Sequence, residues 1–488
     1  MKTRLFLQIA PLVLVAGFVA CRTASRPFIV SHPDQIQYPA FRFTPPKPQD
    51  YRDTLANGIP VYAVEDHRLP TLFVTATVRT GSIYDPDSLR GIGGITASLM
   101  RTGGTESYTG DEFDARTEFL AAEIGCSMSG TMATASLGIL KKDFDEGLRL
   151  FTQMLRSPRF AADKLDLEKK QALDAVAHRW DSPQTVSQIA FSRLMYGRFP
   201  AGRLATAQTV KAMRQQDIKD CYGRFFHPPN LILTISGDMD RTEMLAKLNR
   251  AFGDWKPGPA APSIPKWDDP MPEGKLFFVE RPANQAFISM GLRAIERPNP
   301  DEYSLMVLNH ILGGGSFSSR LMGRVRSDEG LVYDVHSDME SNYFFPGMFS
   351  MTLQTKSASA AYASALCVQE LKRLRDTLAA TKELDAAKRS LIESFPSLFR
   401  TGQDIAASFC LNEYWGRPFD HFEKYPARIQ ALTLQDLNAA ARKYLDPAKL
   451  TTVMVGDLAA ARNGDGEHPQ KLSDLGELQI VKVGDLEK

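Results

Sequence analysis

The chain has 488 residues, 43% hydrophobic and 24% charged, with 58 basic residues against 57 acidic. That length exceeds one ordinary core and predicts two to four domains. The composition excludes a disordered or fibrous chain, and a net charge of +1 supplies no basic field for a nucleic-acid partner.

The chain opens on MKTRLFLQIAPLVLVAGFVAC: Lys2 and Arg4, an apolar run, then small residues before Cys21. This predicts an export signal over residues 1–20, too short and wrongly flanked for a spanning helix. Ala20-Cys21 resembles a bacterial lipoprotein processing site, so Cys21 is expected to be lipidated at the mature N-terminus. Plain cleavage near Ala20 is the alternative. Residues 21–48 then form the lipidated end and a proline-rich, polar tether. The expected location is the periplasmic face of a bacterial membrane. Arg22, in place of the aspartate that retains lipoproteins at the inner membrane, favours the outer one. Four cysteines remain, Cys126, Cys221, Cys367 and Cys410, with no C-x-x-C spacing. This excludes zinc-ribbon and thioredoxin readings; an even count in an exported chain permits disulfides, while four cysteines scattered over a large chain point to buried free thiols.

Residues 49–256 begin with a strand, TLFVTATVRT, followed by a helix closed by glycines in GIGGITASLMRTGGT. Strand-like CSMSGTMATASLGI and the amphipathic helix DFDEGLRLFTQML come next, and LILTISGD ends the region. A proline-rich linker occupies residues 257–274. Residues 275–460 repeat the order: QAFISMGLRA, YSLMVLNHILGGG, YFFPGMFSMTLQT, AAYASALCVQELKRLRDTL and LTTVMVGD. Residues 461–488 are set apart as a C-terminal tail.

The two regions are a duplication. Leu165-Asp166 matches Leu384-Asp385 at an offset of 219, and Gly197-Arg198, Gln216-Asp217, Pro228 and Gly237-Asp238 keep that register. A period this long means repeated domains, not a solenoid. Strands and helices in segregated runs predict an α+β fold, each half a mostly antiparallel sheet covered by helices.

LANGIPVYAVEDHRLP, VRTGSIYDP and HPPNLILTISGDMD in the first half, with LGGGSFSSRL and RVRSDEGLVYDV in the second, carry a resemblance to the pitrilysin/insulinase-type zinc peptidases, or inverzincins. It covers roughly residues 50–460. The resemblance implies two homologous halves arranged as a clamshell around bound peptide. It also implies an H-x-x-E-H helix whose two histidines share one face and hold zinc, while the glutamate polarises water. In that register the motif positions are Gly94, Ala97 and Ser98, and the third ligand, a glutamate on a later helix, falls on Ala175. None is a zinc donor of the usual kind, and no two of the eight histidines lie within one helical turn. No metal is therefore expected in this chain.

The family's second half contributes an arginine and, seven residues on, a tyrosine that donate hydrogen bonds to substrate or developing oxyanion. They correspond to Arg326 and Tyr333. Gly313, Gly314 and Gly315 precede Ser316 without a Gly-Lys-Ser/Thr sequence, which excludes a P-loop. They are expected to form a chamber-wall loop using positive φ or close approach. No G-x-S-x-G supports a serine hydrolase.

Some bacterial members of the family split the work between two chains. The resemblance thus implies a non-catalytic, substrate-binding subunit, partnered by a homologous H-x-x-E-H subunit that holds the zinc. The alternative is an inactive peptidase-like scaffold or peptide-holding protein of the cell envelope.

Overall fold

The structure, a computed structural model, describes residues 42–487. Cys21, the export signal and most of the expected tether lie outside these residues. Residues 45–487 form the body described below. Among the described residues no helix is long and apolar enough to cross a membrane.

The first half contains β1 (Arg52–Thr54), β2 (Pro60–Glu65), β3 (Thr71–Arg79), α1 (Ile92–Thr102), β4 (Glu123–Ser129), β5 (Met132–Leu140), α2 (Phe144–Arg156), α3 (Ala162–His178), α4 (Pro183–Tyr196), α5 (Gln215–Phe225) and β6 (Leu231–Gly237). Its sheet runs β1-β2-β6-β3-β5-β4, and only β2 and β6 pair in parallel. The second half contains β7 (Lys275–Glu280), β8 (Gln285–Arg293), α6 (Glu302–Asn309), two wide π-type turns (His310–Gly314 and Met322–Asp328), β9 (Val332–Met339), β10 (Met348–Lys356), α7 (Ala360–Asp376), α8 (Thr381–Ser394), α9 (Gly402–Tyr414), α10 (His421–Ala431), α11 (Leu434–Tyr444), β11 (Thr451–Gly456) and β12 (Glu477–Ile480). Its sheet runs β12-β7-β11-β8-β10-β9. The expected two-half α+β architecture is present. α3 and α8, α4 and α9, and α5 and α11 each begin 219 residues apart, the offset that relates Leu165 to Leu384.

Sequence alone does not announce how the halves are joined. Each lends one helix to the other's sheet. Val186 and Ala190 of α4 pack on Phe277, Val279, Val453 and Val455 of β7 and β11. In return, α9 lies on β2 and β6. There Phe409 meets the ring of Tyr62 at 5.9 Å, and the Cys410 thiol lies 3.3 Å from the Thr77 hydroxyl. Both sheets are thus covered on two faces, which explains the continuous burial of β6 and β11.

Two stretches outside the expected domains also belong to this body. In the linker, Ala261 N–H donates to Asn230 Oδ1 at 2.7 Å and Tyr84 O–H donates to Pro262 O at 2.7 Å. Trp267, 3% exposed, lies under the Arg293 guanidinium at 4.1 Å. The stretch from 461, expected as a tail, supplies β12, which pairs in parallel with β7. It also supplies Leu486, 2% exposed, to the core beneath α4. A four-residue strand flanked by charges leaves too short a pattern to read from sequence.

Candidate functional site

α1 is the helix on which the metal motif was sought. It starts at Gly91, whose φ of +96° favours glycine. The Asp85 carboxylate caps it, accepting from Gly91 N–H at 2.9 Å and Gly93 N–H at 3.1 Å. A Cβ on Gly93 would come within 2.9 Å of that carboxylate and 2.6 Å of Met128 Sδ, so glycine is what lets the cap reach the helix. Burial pushes the Asp85 carboxyl upward against the pull of those two N–H groups and of Arg90.

Gly94 is exposed, and a Cβ there would meet nothing within 4 Å. Ala97 is fully buried at 0% exposure. The Ser98 hydroxyl donates to Glu168 Oε1 at 2.6 Å, and Thr102 donates to the same oxygen at 3.2 Å. Glu168 is on α3, seven residues before the exposed Ala175. Seven residues are two helical turns, so the two positions share a face. The sequence register singled out Ala175 and passed over Glu168; a second carboxylate position two turns upstream was the signal available. One carboxylate beside hydroxyls does not fit zinc, which takes imidazole, thiolate or several carboxylates. Among the described residues no group of three or more His, Cys, Asp or Glu side chains could hold a metal ion. Cys126, Cys221, Cys367 and Cys410 are free thiols. Cys367 and Cys410 are buried, and Cys126 and Cys221 are partly so; burial pushes all four pKa values up and keeps the thiols protonated.

Arg326 rises from the turn Met322–Asp328. Its guanidinium is 4.7 Å from the Phe317 ring centroid and 5.0 Å from that of Tyr333. Neighbouring Arg324 pairs with Glu329 at 2.6 Å. Among the described residues no carboxylate pairs with Arg326 within 4.0 Å. Rings facing a guanidinium hold it by cation–π attraction while its N–H edge remains able to donate. Tyr333 is 85% exposed and Phe317 71% exposed. β9, which carries Tyr333, is the edge strand of its sheet. Tyr333 also lines a cavity of about 750 Å³, whose other walls include Gln184 and Gln188 of α4, Phe287, His336 and Lys356.

The glycine loop lies behind β9. A Cβ on Gly313 would sit 2.4 Å from Ser337 N, so Gly313 permits close approach of the turn to the strand. None of Gly313, Gly314 and Gly315 takes positive φ; Ser316 does, at +53°. Of the two uses expected for these glycines, close approach is the one found, at Gly313, and the left-handed residue is Ser316. None of the three glycines lines the 750 Å³ cavity.

The elements packed most closely on α1 all belong to the first half, and those packed on the Arg326 turn to the second. No element packed closely on α1 is also packed closely on the Arg326 turn.

A duplicated α+β unit with exchanged helices, whose α1 carries Gly94, Ala97 and Ser98 at the motif positions, is the architecture to compare with known families. Residues 61–206 match the family described as Insulinase (Peptidase family M16). Residues 212–391 match the Peptidase M16 inactive domain. The chain belongs to peptidase family M16, and its second part matches that family's inactive domain. It is 25% identical over 405 residues to a protein of Helicobacter pylori named non-peptidase homolog YmxG, spanning 82% of this chain and 92% of that one. An uncharacterized zinc protease of Mycobacterium tuberculosis is 26% identical over 63% of this chain and 70% of its own. Among solved structures, a peptidase M16 inactive domain from Pseudomonas fluorescens superposes with a TM-score of 0.76 at 25% identity, covering 83% of this chain and 97% of that one.

Proposed function

We propose that this chain is the non-catalytic, substrate-binding subunit of an exported, heterodimeric zinc metallopeptidase. Its partner is a homologous chain carrying H-x-x-E-H and the zinc. This chain lends Arg326 and Tyr333, is anchored by lipid on Cys21, and holds peptide. The observation that carries the reading is the pairing of half-buried Arg326 with exposed Tyr333 in a chain whose own α1 offers no zinc ligands. An arginine edge and a phenol are donors suited to a peptide carbonyl oxygen as negative charge develops on it. In a dry site each such donor is worth roughly 3 kcal/mol. The exposure of Tyr333 within the single chain suits a group that becomes enclosed only on assembly.

A second reading, a peptide-holding scaffold without catalytic role, draws support from the H. pylori relative named a non-peptidase homologue and from the 750 Å³ cavity beside edge strand β9. One experiment separates the two. The chain is purified with its H-x-x-E-H partner from the native host, and zinc content and peptide turnover are measured. The subunit reading expects neither zinc nor cleavage from the chain alone, and both from the complex. Arg326→Ala and Tyr333→Phe should each cut turnover while leaving assembly intact. Full turnover in both variants sinks the assigned role and leaves the scaffold reading.

A further inference from the structure

A second cavity, of about 300 Å³, opens between α6, α8 and α10 in the second half. That volume is at the lower end of small-molecule sites, roughly 300–1,000 Å³. Its walls are apolar and aromatic: Tyr303, Met306, Leu391, Phe395, Phe422 and Tyr425. Two arginines, Arg297 and Arg417, also line it. A pocket of this kind is an unusual place for positive charge, because a buried guanidinium without an acceptor is costly.

One carboxylate, Glu302, lines the cavity with these arginines and pairs with Arg297; Arg417 has only neutral partners. Arg417 lies against the Tyr343 and Trp415 rings at 4.7 and 4.6 Å. Its Nε donates to the Tyr343 hydroxyl, and its Nη1 lies 3.3 Å from His421 Nε2; both are neutral acceptors. Arg297 Nε is buried without a hydrogen bond, and its closest carboxylate oxygen, Glu302 Oε2, is 3.5 Å away. A third cation, Arg428, donates to the Tyr303 hydroxyl at 2.9 Å. The Asp420 carboxylate nearby is paired with Lys424 at 2.5 Å. Arg297 and Arg417 therefore share a single lining carboxylate, Glu302, which is paired with Arg297. Burial first, then Arg417, Arg428 and Arg297, against a smaller pull from Asp420, push His421 down to about 3, so it stays neutral.

We infer that this cavity binds a carboxylate attached to an aromatic or aliphatic body, with Arg297 and Arg417 receiving the charge and the aromatic wall receiving the body. A guanidinium presents a planar fork that matches a carboxylate, and the apolar wall gains from covering a hydrocarbon group. A free phosphate would leave that wall unused. The same chemistry is offered by a small organic acid and by the C-terminus of a peptide that ends in an apolar residue. Binding is independent of the subunit role proposed above, since neither Arg326 nor Tyr333 takes part.

Isothermal titration calorimetry on the full chain tests it. The probes are 3-phenylpropionate, the neutral 3-phenyl-1-propanol, and an N-acetylated peptide ending in phenylalanine as free acid and as amide. Saturable binding of a carboxylate probe is expected, with its neutral counterpart weaker by roughly tenfold or more. Saturation by the small acid assigns the source to an organic acid; saturation by the peptide acid alone assigns it to a chain terminus. Arg417→Met should weaken binding roughly tenfold to a hundredfold. Because Arg417 also packs on two rings, Leu398→Asp is the second variant. Leu398 sits on the rim at 45% exposure, where a negative charge repels the ligand without disturbing the fold. The inference is overturned if no carboxylate probe saturates, if acid and neutral probes bind alike, or if a folded Leu398→Asp protein binds the acid as tightly as the unaltered chain.

Discussion

The Arg326 guanidinium stands 5.0 Å from the centroid of the Tyr333 ring, and that ring is 85% exposed. A pair so placed contributes little to the fold, because an exposed cation–π contact is worth about 0.5–1 kcal/mol. Tyr333→Phe keeps the ring and removes only the hydroxyl. Its thermal midpoint should match that of the unaltered chain, while turnover by the complex falls. A matched loss of midpoint and turnover would instead make Tyr333 a packing residue.

The emptied position on α1 makes a second prediction. Gly94 has open space for a side chain, and Ser98 is four residues on, 2.6 Å from the Glu168 carboxylate. Gly94→His with Ser98→His places two imidazoles one turn apart beside that carboxylate, a donor set suited to zinc. The double variant should retain zinc through gel filtration, read by metal analysis, where the unaltered chain retains none. Ala97 is left in place. It is fully buried, and a carboxylate there would lack solvent and a partner.

Much of this molecule was legible in the chain because the duplication imposes a second, independent copy of each signal. Strands β3 and β8 were readable from alternation, helices α2 and α7 from periodicity, and the equivalence of Leu165 with Leu384 from the 219-residue register. The exchange of α4 and α9 was not. Apolar residues are spread around both helices; in α4, Val186 and Ala190 enter one core cluster and Met195 another. No single stripe points to one partner surface. Glu168 escaped because a register carried over from a resemblance marks single positions, whereas the carboxylate that reaches Ser98 is two turns away on the same face. Arg297 and Arg417 are 120 residues apart, and only the fold puts both on one cavity.

The joint between halves contains an ion pair that should make stability depend on pH. Arg52 grips Glu413 through two bonds of 2.8 and 2.9 Å, and the buried Tyr62 hydroxyl donates to Glu413 at 2.5 Å. Burial pushes the Glu413 carboxyl up, but Arg52 and Tyr62 together outweigh it and hold it below the ordinary value. A carboxyl depressed on folding stabilises the folded chain above its unfolded pKa, about 4.3 for glutamate, and loses that contribution as pH falls through the folded value. Glu413→Gln should therefore cost roughly 2–3 kcal/mol at pH 7. The difference in midpoint between variant and unaltered chain should shrink as pH drops below about 4.3. A constant difference from pH 7 to pH 3 would show that the charge is not what stabilises the joint.

The exchanged helices predict that damage in one half is felt in the other. Phe409, on α9 of the second half, is 0% exposed. Its ring lies 5.9 Å from that of Tyr62 and 5.7 Å from that of Tyr51, both in the first half. Phe409→Ala empties a core position and should cost roughly 3–5 kcal/mol by denaturant titration. The cavity opens against β2 and β6, so hydrogen exchange should accelerate along Tyr62–Val64 and Leu233–Ile235, which pair in that sheet. Protection in β7 and β11, whose cover is α4, should fall less. If both sheets lose protection equally, the halves unfold as one cooperative unit, and the exchange has fused them more tightly than the separate cores beneath α4 and α9 imply.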